Sequence, residues 1–358
     1  MVWKMRSFSL SLVLTMLTLL GYANPLHYSA LDLGTLGGAC APQGLNDFGQ
    51  VVGYSYISAD VQHAFLFSGG NMIDLGTLGG NGSQAFGINN RGQGVGNSYT
   101  ASGQMNAFFF SDGAMTDLGF DGGAASINNA GLAVGTGNSP DFHAFQFSAG
   151  TGTNLGLFGA NTSTATGVNN LGQVAGRLYY RNDSNTFRAY IYSNGVATVL
   201  GTLGGASSEA RGLNDLGQVV GSSGLANGGQ HAFIYSGGAM YDIGAIGGPD
   251  GYSYAQAINN LGQVVGYALG VFNGMLKYRA FLYDQGDMID LNSLVRLNTT
   301  LGFAFGINSS SQIIASGYNG HAYLLTPVAA APEPDCMDPI ELRLGRIQRK
   351  RCVLLPTH

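Results

Sequence analysis

The chain has 358 residues and a formal net charge of −5; 58 residues are glycine, 45% are hydrophobic and only 10% are charged. Chains that stay unfolded are poor in apolar residues and rich in charge, so this composition excludes a disordered protein. Glycine does not occur at every third position and there are only 9 prolines, which excludes collagen.

The first 23 residues have the features of a secretory signal peptide. Lys4 and Arg6 precede an apolar run at 8–20, and the small residues Gly21 and Ala23 follow at the usual cleavage distance. Serine and threonine interrupt this run of about 13 residues, whereas a bilayer-spanning helix needs roughly 20 apolar residues. We therefore predict export, and no transmembrane span in the mature chain.

A short pattern recurs seven times along the body of the chain. Each copy has an aliphatic residue, then Asn, then Asn, Asp or Ser, and a short turn leads from it into an apolar strand. The first asparagines of the seven copies are Asn46, Asn89, Asn128, Asn169, Asn214, Asn259 and Asn308. They are 39 to 49 residues apart, and a period of about 40 to 50 with strand chemistry is typical of propeller blades.

Each repeat is predicted to contain four short strands. The inner strand ends at the asparagine motif, and a turn through x-Gly opens the second strand, since Asn and Gly tolerate left-handed backbone angles. His63–Phe67 represents the third strand, and a turn such as Asp112-Gly113 leads to a fourth strand such as Met240–Ile243. The body lacks stretches that combine apolar spacing of 3 and 4 with good helix formers, which indicates an all-β fold.

The two ends of the repeat region complement each other. The region opens with a lone fourth strand at Tyr28–Gly34 and ends on a third strand at His321–Leu325. A ring that borrows its missing strand from the opposite end needs no capping repeats. We therefore predict a monomeric, seven-bladed β-propeller of four-stranded antiparallel blades over residues 24–327, closed by the N-terminal strand completing the last blade.

Residues 328–358 form a C-terminal tail that we predict to be poorly ordered. The tail contains Cys336 and Cys352, which either form a disulfide in an oxidising compartment or stay as two thiols. The third cysteine, Cys40, lies near the start of the repeats, so no disulfide framework holds the body together. The C-x-x-C spacing of many metal sites is absent.

The tail resembles the PEP-CTERM sorting signal of exopolysaccharide-producing Gram-negative bacteria. Pro332-Glu333-Pro334 is followed by a basic cluster that ends at Lys350 and Arg351. The apolar helix that separates these two elements in the signal is missing, and charged residues stand in its place. The likeness is therefore either a degenerate signal or an accident. Together with the leader it implies a protein outside the cell, at the cell surface or in the periplasm of a Gram-negative bacterium.

Two further motifs resemble the HAF family of extracellular repeat proteins. Asp-Leu-Gly-Thr-Leu-Gly-Gly occurs at 32–38 and 74–80, with Val in the first place at 199–205. His-Ala-Phe begins at His63, His143 and His231. The resemblance covers about residues 28 to 325. It implies secretion, and it implies no particular reaction.

The repeated asparagines favour a structural role over a calcium ring. Asn and Asp oxygens are calcium ligands, but a calcium loop needs several such oxygens within one loop. The Asn-Asn-x-Gly motif offers too few, and its side chains already stabilise a turn. We predict no metal and no cofactor.

Histidines open the third strand of four repeats: His63, His143, His231 and His321. The matching residues elsewhere are Asn106, Arg188 and Arg279. Arginine does not ligate a metal, whereas all three residue types donate hydrogen bonds. We predict that this position is a polar donor that ties neighbouring strands or blades together.

The carboxylates show no catalytic pattern. The Asp that precedes Leu-Gly is replaced by Asn154 and Val199 in two repeats, so it is not a catalytic group shared by all of them. A glycosidase needs two carboxylates about 5 to 10 Å apart, and nothing in the sequence pairs any two. Phosphate-binding loops and the G-x-S-x-G motif are also absent, so we predict no catalytic residue.

Variable loops on one face of the predicted disc are the candidate binding region. The first-to-second and third-to-fourth turns of each blade share one face and are short and repetitive. The second-to-third loops and the blade crossovers share the other face, vary in length and are rich in tyrosine, which suits sugar rings or protein surfaces. The candidate binding residues are Tyr54, Tyr56, Tyr179, Tyr180, Asp183, Tyr252, Tyr254, Phe272 and Tyr278.

Three functions fit this layout. The first is a secreted or cell-surface, non-catalytic binding or scaffold module for surface polysaccharide or an envelope protein. The second is an extracellular carbohydrate-active hydrolase or lyase that uses Asp183, Glu209 and Asp250 on the same face, and the third is a structural protein that only assembles. Nucleic acid is excluded as a partner, because the body at 24–326 has eight basic and sixteen acidic residues.

Overall fold

The computed structural model describes residues 27–137, 142–181, 186–247 and 251–328. The predicted signal peptide, the C-terminal tail, Asp183 and Asp250 lie outside these ranges. Tyr28–Pro327 form one compact unit. Its described residues form 27 β-strands and one 3-10 turn at Leu291–Ser293.

Five sheets have four strands each. The first contains β2 (Cys40–Leu45), β3 (Val51–Tyr56), β4 (Gln62–Ser68) and β5 (Asn71–Asp74). The second contains β13 (Thr162–Val168), β14 (Val174–Tyr180), β15 (Thr186–Ser193) and β16 (Val196–Val199). The third contains β17 (Gly204–Leu213), β18 (Val219–Leu225), β19 (Gln230–Ser236) and β20 (Ala239–Asp242). The fourth contains β21 (Tyr252–Ile258), β22 (Val264–Phe272), β23 (Met275–Asp284) and β24 (Asp287–Asp290). The fifth contains β25 (Leu301–Ile307), β26 (Ile313–Gly317), β27 (Ala322–Val328) and β1 (His27–Asp32).

A sixth sheet has seven strands and contains two repeats. Its strands are β6 (Gly79–Ile88), β7 (Gly94–Thr100), β8 (Met105–Ser111), β9 (Ala114–Ile127), β10 (Ala133–Gly137), β11 (His143–Ser148) and β12 (Thr151–Gly156). The long strand β9 belongs to both repeats. Its first half pairs with β8 and its second half pairs with β10.

The all-β propeller prediction is confirmed, but the predicted number of blades is wrong. The structure has five four-stranded blades and one seven-stranded sheet, rather than seven separate four-stranded blades. The reason is the length of one crossover. From Asp117 to the motif residue Asn128 there are 11 positions, against 15 from Asp74 to Asn89. The short connection forms no separate loop. Strand β9 runs through it, with positive φ angles at Gly119 and Gly122, so the outer strand of one repeat continues as the inner strand of the next.

The His-Ala-Phe motif supplies the core between neighbouring sheets. The aromatic residue of the motif is fully buried in six repeats, as Phe65, Phe108, Phe145, Tyr190, Phe233 and Phe281. The alanine before it is also fully buried in each repeat, because the small side chain lets the adjacent sheet approach closely. Burial of one such aromatic side chain stabilises the fold by roughly 1.5 to 3 kcal/mol, so the repeated motif is a major source of stability.

Strand β1 joins the two ends of the repeat region. It lies beside β27, which places an N-terminal strand in the sheet of the last repeat, as the sequence predicts. The N–H of Leu33 donates to the carbonyl oxygen of Ala322 over 3.0 Å. Leu33 is 3% exposed and packs in one apolar cluster with Phe65 of the first sheet and Leu324 of the last. The closing strand therefore seals the contact between the first and last sheets.

Cys40 is a buried thiol in this same cluster. Burial, with a smaller contribution from the nearby charge of Asp32, raises the pKa of the Cys40 thiol to about 12. The thiol is therefore protonated and behaves as a small apolar side chain. In the described part of the chain, no helix is long and apolar enough to cross a membrane.

Candidate functional site

A ring of hydrogen bonds joins the seven motif asparagines. The side-chain Nδ2 of each asparagine donates to the backbone carbonyl oxygen of the motif asparagine in the next repeat, over 2.9 to 3.1 Å. The last of these bonds runs from Asn308 back to Asn46, so the ring is closed. We call the end of the molecule that carries this ring the turn face.

Each asparagine in this ring also closes its own turn. In one repeat, Asn259 Nδ2 donates to Gln263 Oε1 over 2.8 Å, and Asn259 Oδ1 accepts the backbone N–H groups of Leu261 and Gln263 over 3.0 Å. The motif asparagines are 3 to 6% exposed. Their side-chain donors and acceptors are therefore already used by the protein, which favours a structural role over ligand binding.

A second ring lies outside the first, formed by the residue that follows each motif asparagine. Its members are Asp47, Asn90, Asn129, Asn170, Asp215, Asn260 and Ser309. Asp215 accepts hydrogen bonds from the side chains of Asn170 and Asn260 over 3.0 and 3.1 Å. Burial opposes the charge of Asp215, but the hydrogen bonds outweigh it and hold its pKa below the ordinary value. The pKa of Asp47 is lowered in the same way, by Ser309 and Asn90 acting against burial.

The residue that opens the third strand bonds to the Asp at the end of the fourth strand. His63 Nδ1 lies 2.9 Å from Asp74, and Asn106 donates to Asp117 over 2.8 Å. The other pairs are His231 with Asp242, His321 with Asp32 and Arg279 with Asp290. These contacts tie the two outer strands of one repeat together, and for His321 they tie β27 to β1.

The same Asp residues explain the Asp-Leu-Gly motif. Asp74 Oδ1 accepts the backbone N–H of Gly76 over 2.8 Å, and Asp242 Oδ1 accepts that of Gly244 over 2.7 Å. Both glycines have a positive φ, which suits a residue without a Cβ. The motif therefore ends the fourth strand with a turn into the crossover.

Seven inner strands, one from each repeat, surround a central channel. In β17 the small residues Ser208 and Ala210 are buried against neighbouring sheets. Glu209 and Arg211, which alternate with them, face the channel. One channel cavity of about 260 Å³ is lined by residues of these strands, including Arg211 and Phe305. A ring of seven aliphatic residues lines the cavity at the turn face: Leu45, Ile88, Ile127, Val168, Leu213, Ile258 and Ile307. All of them except Ile258 also line the channel cavity.

At the opposite end of the channel, which we call the loop face, the channel-lining positions of the inner strands do not repeat. Five positions before the motif asparagine the seven strands carry Ala41, Gln84, Gly123, Thr164, Glu209, Tyr254 and Phe303. These residues lie near the starts of the inner strands, where the crossovers enter. The variation brings different chemistry to each sector of the channel mouth.

One sector of the loop face is charged. Glu209 Oε2 lies 3.0 Å from Arg177 Nη1 and 3.1 Å from Arg211 Nη2. The guanidinium of Arg177 also lies over the ring of Phe187, 4.9 Å from its centroid. Two arginines thus share one carboxylate beside the channel.

The adjoining sector is aromatic. Tyr254 and Tyr267 stack with their ring centroids 4.9 Å apart and an interplanar angle of 22°. Phe303 meets Tyr267 and Tyr278 with centroid distances of 5.0 Å to each. Tyr318, which is 53% exposed, bonds through its hydroxyl to the backbone N–H and carbonyl of Tyr278 over 3.1 Å.

The charged and aromatic sectors interact electrostatically. Burial raises the pKa of Tyr254 and of Tyr267, and the negative charge of Glu209 raises both further. The positive charge of Arg211 acts in the opposite direction on Tyr267. We therefore treat the two sectors as one loop-face cluster, which consists of Arg177, Glu209, Arg211, Tyr254, Tyr267, Tyr278 and Phe303.

Glycines in the second strands allow this cluster to form. A Cβ at Gly221 would overlap the carbonyl oxygen of Glu209, and a Cβ at Gly266 would overlap that of Tyr254. The inner strands also shift register just after these residues, between Ala210 and Gly212 in β17. The close approach of the second strand fixes the backbone of the channel-lining residues.

The nine predicted binding residues fall into separate groups. Tyr254 and Tyr278 belong to the loop-face cluster, and Tyr252, which is 39% exposed, contributes to the raised pKa of Tyr254. The ring of Phe272 lies under Arg279 at the tip of the β22–β23 hairpin.

The other predicted tyrosines lie in different sheets. Tyr54 and Tyr56 are on β3, and Tyr56 lines an open cavity of about 480 Å³ next to Gly37 and Gly38. Tyr179 and Tyr180 are at the end of β14, where the Tyr179 ring contacts Phe187 with centroids 5.1 Å apart. Asp183 lies outside the described residues.

Four members of the cluster were missed by the sequence prediction: Arg177, Arg211, Tyr267 and Phe303. They lie within strands rather than in the variable loops. A usable signal was present, because the fifth and third positions before the motif asparagine vary widely in a chain that otherwise repeats. Which variable positions meet one another depends on the packing of neighbouring sheets.

Glu209 is the only carboxylate of the loop-face cluster, and both of its arginine contacts use Oε2. Among the described residues, no group of three or more His, Cys, Asp or Glu side chains is arranged to hold a metal ion. The chemistry that this cluster offers is therefore stacking, hydrogen bonding and charge pairing.

Comparisons with known proteins address the fold alone. No protein-family model matches the chain, and no curated protein matches it. Among solved structures, a puromycin-hydrolyzing peptidase of Mycobacterium tuberculosis is similar over 84% of this chain, with 10% identity and a TM-score of 0.53. The WD40 β-propeller domain of Doa1 matches over 83% of the chain with 12% identity and a TM-score of 0.49. TolB from Acinetobacter baumannii matches over 58% with 14% identity and a TM-score of 0.40.

The chain spans about half the length of two of these proteins, 55% of the peptidase and 52% of TolB. At 10% identity, the likeness to the peptidase supports a β-propeller and carries nothing about activity.

Proposed function

We propose that this protein is an exported, non-catalytic binding module of the HAF-repeat type, and that its loop-face cluster binds a surface polysaccharide. The observation that carries the proposal is the meeting of stacked tyrosines with two arginines at one mouth of the channel. The repeat fold itself does not require these residue types at this place. Other repeats have Ala41, Gln84 or Gly123 at the position equivalent to Glu209.

Tyrosine and arginine are the residues that a polar ligand with flat faces needs. A tyrosine ring offers an apolar face and a hydroxyl, and an arginine offers several donors in one plane. Both residue types are enriched at protein–protein interfaces relative to the rest of a protein surface. A sugar ring presents C–H groups and hydroxyls together, so it fits this combination.

Binding is favoured over catalysis by the number of carboxylates in the loop-face cluster. Hydrolysis of a glycoside requires one carboxylic acid that gives a proton and a second carboxylate as base or nucleophile. Among the described residues of the cluster Glu209 is the single carboxylate, and its Oε2 contacts Arg177 and Arg211 over 3.0 and 3.1 Å. The carboxylate therefore positions the two arginines.

Export is part of the proposal and rests on the N-terminal sequence. Residues 1–23 carry the basic, apolar and small-residue segments of a signal peptide in order. N-terminal sequencing of the protein recovered from outside the cytoplasm should start just after Ala23. An intact leader on that material would contradict export by this route.

A glycan array with the purified protein tests the binding function. We expect binding to one class of polysaccharide, and Tyr254→Ala should weaken it by about tenfold, because one ring–ligand contact of roughly 1.4 kcal/mol is lost. Tyr241→Ala is the matched control, since Tyr241 is 57% exposed on the outer strand β20.

Two outcomes of the array experiment would contradict the proposal. An unchanged signal with Tyr254→Ala would move the binding site away from the loop-face cluster. Silence of the whole array, together with capture of an envelope protein that depends on Tyr254, would replace the polysaccharide by a protein partner.

A further inference from the structure

Positive charge is concentrated in one short part of this acidic body. The region 24–326 has eight basic and sixteen acidic residues, yet four of the eight basic side chains lie between 177 and 211. They are Arg177, Arg181, Arg188 and Arg211. An even distribution would place about one there, so the concentration needs a physical reason.

The fold brings these arginines to the loop face of two neighbouring sheets. Arg177 is on β14 and Arg188 is on β15, while Arg211 is on β17 of the next sheet. Arg188 bridges the two sheets, because its guanidinium donates to the carbonyl oxygen of Ala206. Arg181 follows β14 and is exposed.

Arg211 is the member that reaches the channel. It lines the 260 Å³ cavity, and its side chain is 46% exposed. Its contact with Glu209 uses one terminal nitrogen, Nη2. A guanidinium carries five N–H donors in one plane, so one hydrogen bond to Glu209 leaves Arg211 able to bind a second anion.

Among the residues that the structure describes, the charges of the loop-face cluster do not balance. Glu209 supplies one negative charge, which Arg177 and Arg211 share. The excess positive charge lies beside the ring stack of Tyr254 and Tyr267, to which Arg211 is electrostatically coupled. A ligand that satisfies both features has a ring to pack on tyrosine and an anionic group within reach of the arginine.

We infer that the ligand of the loop-face cluster is an acidic sugar, whose carboxylate pairs with Arg211 while its ring packs against Tyr254. This inference rests on the proposed polysaccharide-binding function and specifies its substrate class. A charge-assisted arginine–carboxylate pair is about twice as strong as a neutral hydrogen bond, and its planar fork matches the two carboxylate oxygens. A neutral sugar would leave the excess charge of the cluster unpaired.

Calorimetric titration with uronic acid oligomers tests the inference. The probes are hexamers of galacturonate and of mannuronate and the methyl esters of both, at about 0.15 M salt so that distant charges are screened. We expect at least one acid form to bind about tenfold or more tightly than its ester, which has the same ring without the charge.

Three variants locate the effect. Arg211→Gln should reduce the affinity for the acid to that for the ester, and Arg211→Lys should restore part of the difference by keeping the charge. Arg91→Gln is the charge-matched control, because Arg91 is exposed in a turn of the turn face. Thermal unfolding of each variant shows whether the fold is retained.

The other possible outcomes contradict either the acidic-sugar inference or the proposed function. Equal affinity for acid and ester would overturn the acidic-sugar inference and leave polysaccharide binding in place. Another outcome is that the Arg211→Gln variant binds both dextran sulfate and the uronates as tightly as the wild type does. That result would indicate attraction to any polyanion, which also overturns the acidic-sugar inference. Failure of every glycan on the array would instead remove the proposed function.

Discussion

The two ends of the channel are built on the same seven inner strands, but the channel-lining residues repeat at one end and vary at the other. At the turn face every repeat places an asparagine in the same position, and each asparagine bonds to the next repeat. At the loop face the equivalent positions hold residues as different as Gly123, Glu209 and Tyr254. Repetition therefore marks the end that holds the ring together, and variation marks the end that is available for a ligand.

The physical basis of this difference is hydrogen-bond satisfaction. Buried polar groups that lose a partner are costly, so a bond that every repeat makes to its neighbour constrains every repeat to the same residue. The loop-face residues are only partly buried, and solvent or a ligand meets their remaining hydrogen-bonding needs. Substitutions at the two ends should accordingly affect different properties.

The largest effect on stability is expected at the turn face. Asn259→Ala removes four hydrogen bonds and leaves buried groups, among them the carbonyl oxygen of Asn308, without that partner. We expect a loss of roughly 3 to 5 kcal/mol of unfolding free energy, measured by chemical denaturation. The neighbouring Asn260→Ala is the control and should cost less than about 1 kcal/mol, because Asn260 is exposed. Equal losses would contradict the separate roles of the two rings.

A smaller loss is expected where the ring of repeats closes. Leu33→Ala removes a buried side chain between the first and last sheets and should cost about 2 to 4 kcal/mol. Leu31→Ala, in the same strand, should change stability little because Leu31 is 50% exposed. Thermal unfolding of the two variants measures the difference. Similar melting temperatures would mean that β1 does not seal the propeller.

The smallest effect is expected from the carboxylates of the outer ring on the turn face. Because the pKa of Asp215 is lowered in the folded state, its contribution to stability is present above about pH 4 and is lost as the pH falls through the folded pKa. Asp215→Asn should make stability less dependent on pH in this acid range, by less than about 1 kcal/mol since solvent screens the site. Denaturation at a series of pH values, with Asp60→Asn as the control, checks this. An unchanged pH profile would contradict the role of the hydrogen bonds from Asn170 and Asn260.

Much of the fold was predictable because the sequence repeats. The asparagine spacing, the x-Gly turns and the lone strand at Tyr28–Gly34 indicated a closed all-β ring, and the structure places β1 beside β27. The blade count was wrong because the short link from Asp117 to Asn128 merges two repeats into one sheet. A repeat pattern gives the number of units, but hydrogen bonding between strands decides where one sheet ends.

The candidate site was less predictable because it is assembled across repeats. Tyr254 and Tyr278 were identified from the richness of the loop face in tyrosine, whereas Arg211 and Phe303 lie inside strands whose orientation the loops do not reveal. The loop-face cluster is assembled from four neighbouring sheets. Only the variation at fixed distances before the motif asparagine pointed to them in the sequence.

The most direct test measures stability and binding together in one pair of variants, Asn259→Ala and Arg211→Gln. The melting temperature and the affinity for the uronate oligomer are determined for each. The two-ended account predicts that Asn259→Ala lowers the melting temperature and keeps the affinity below that temperature, while Arg211→Gln weakens binding about tenfold and keeps the melting temperature. Unchanged affinity in Arg211→Gln, or unchanged melting in Asn259→Ala, would contradict it.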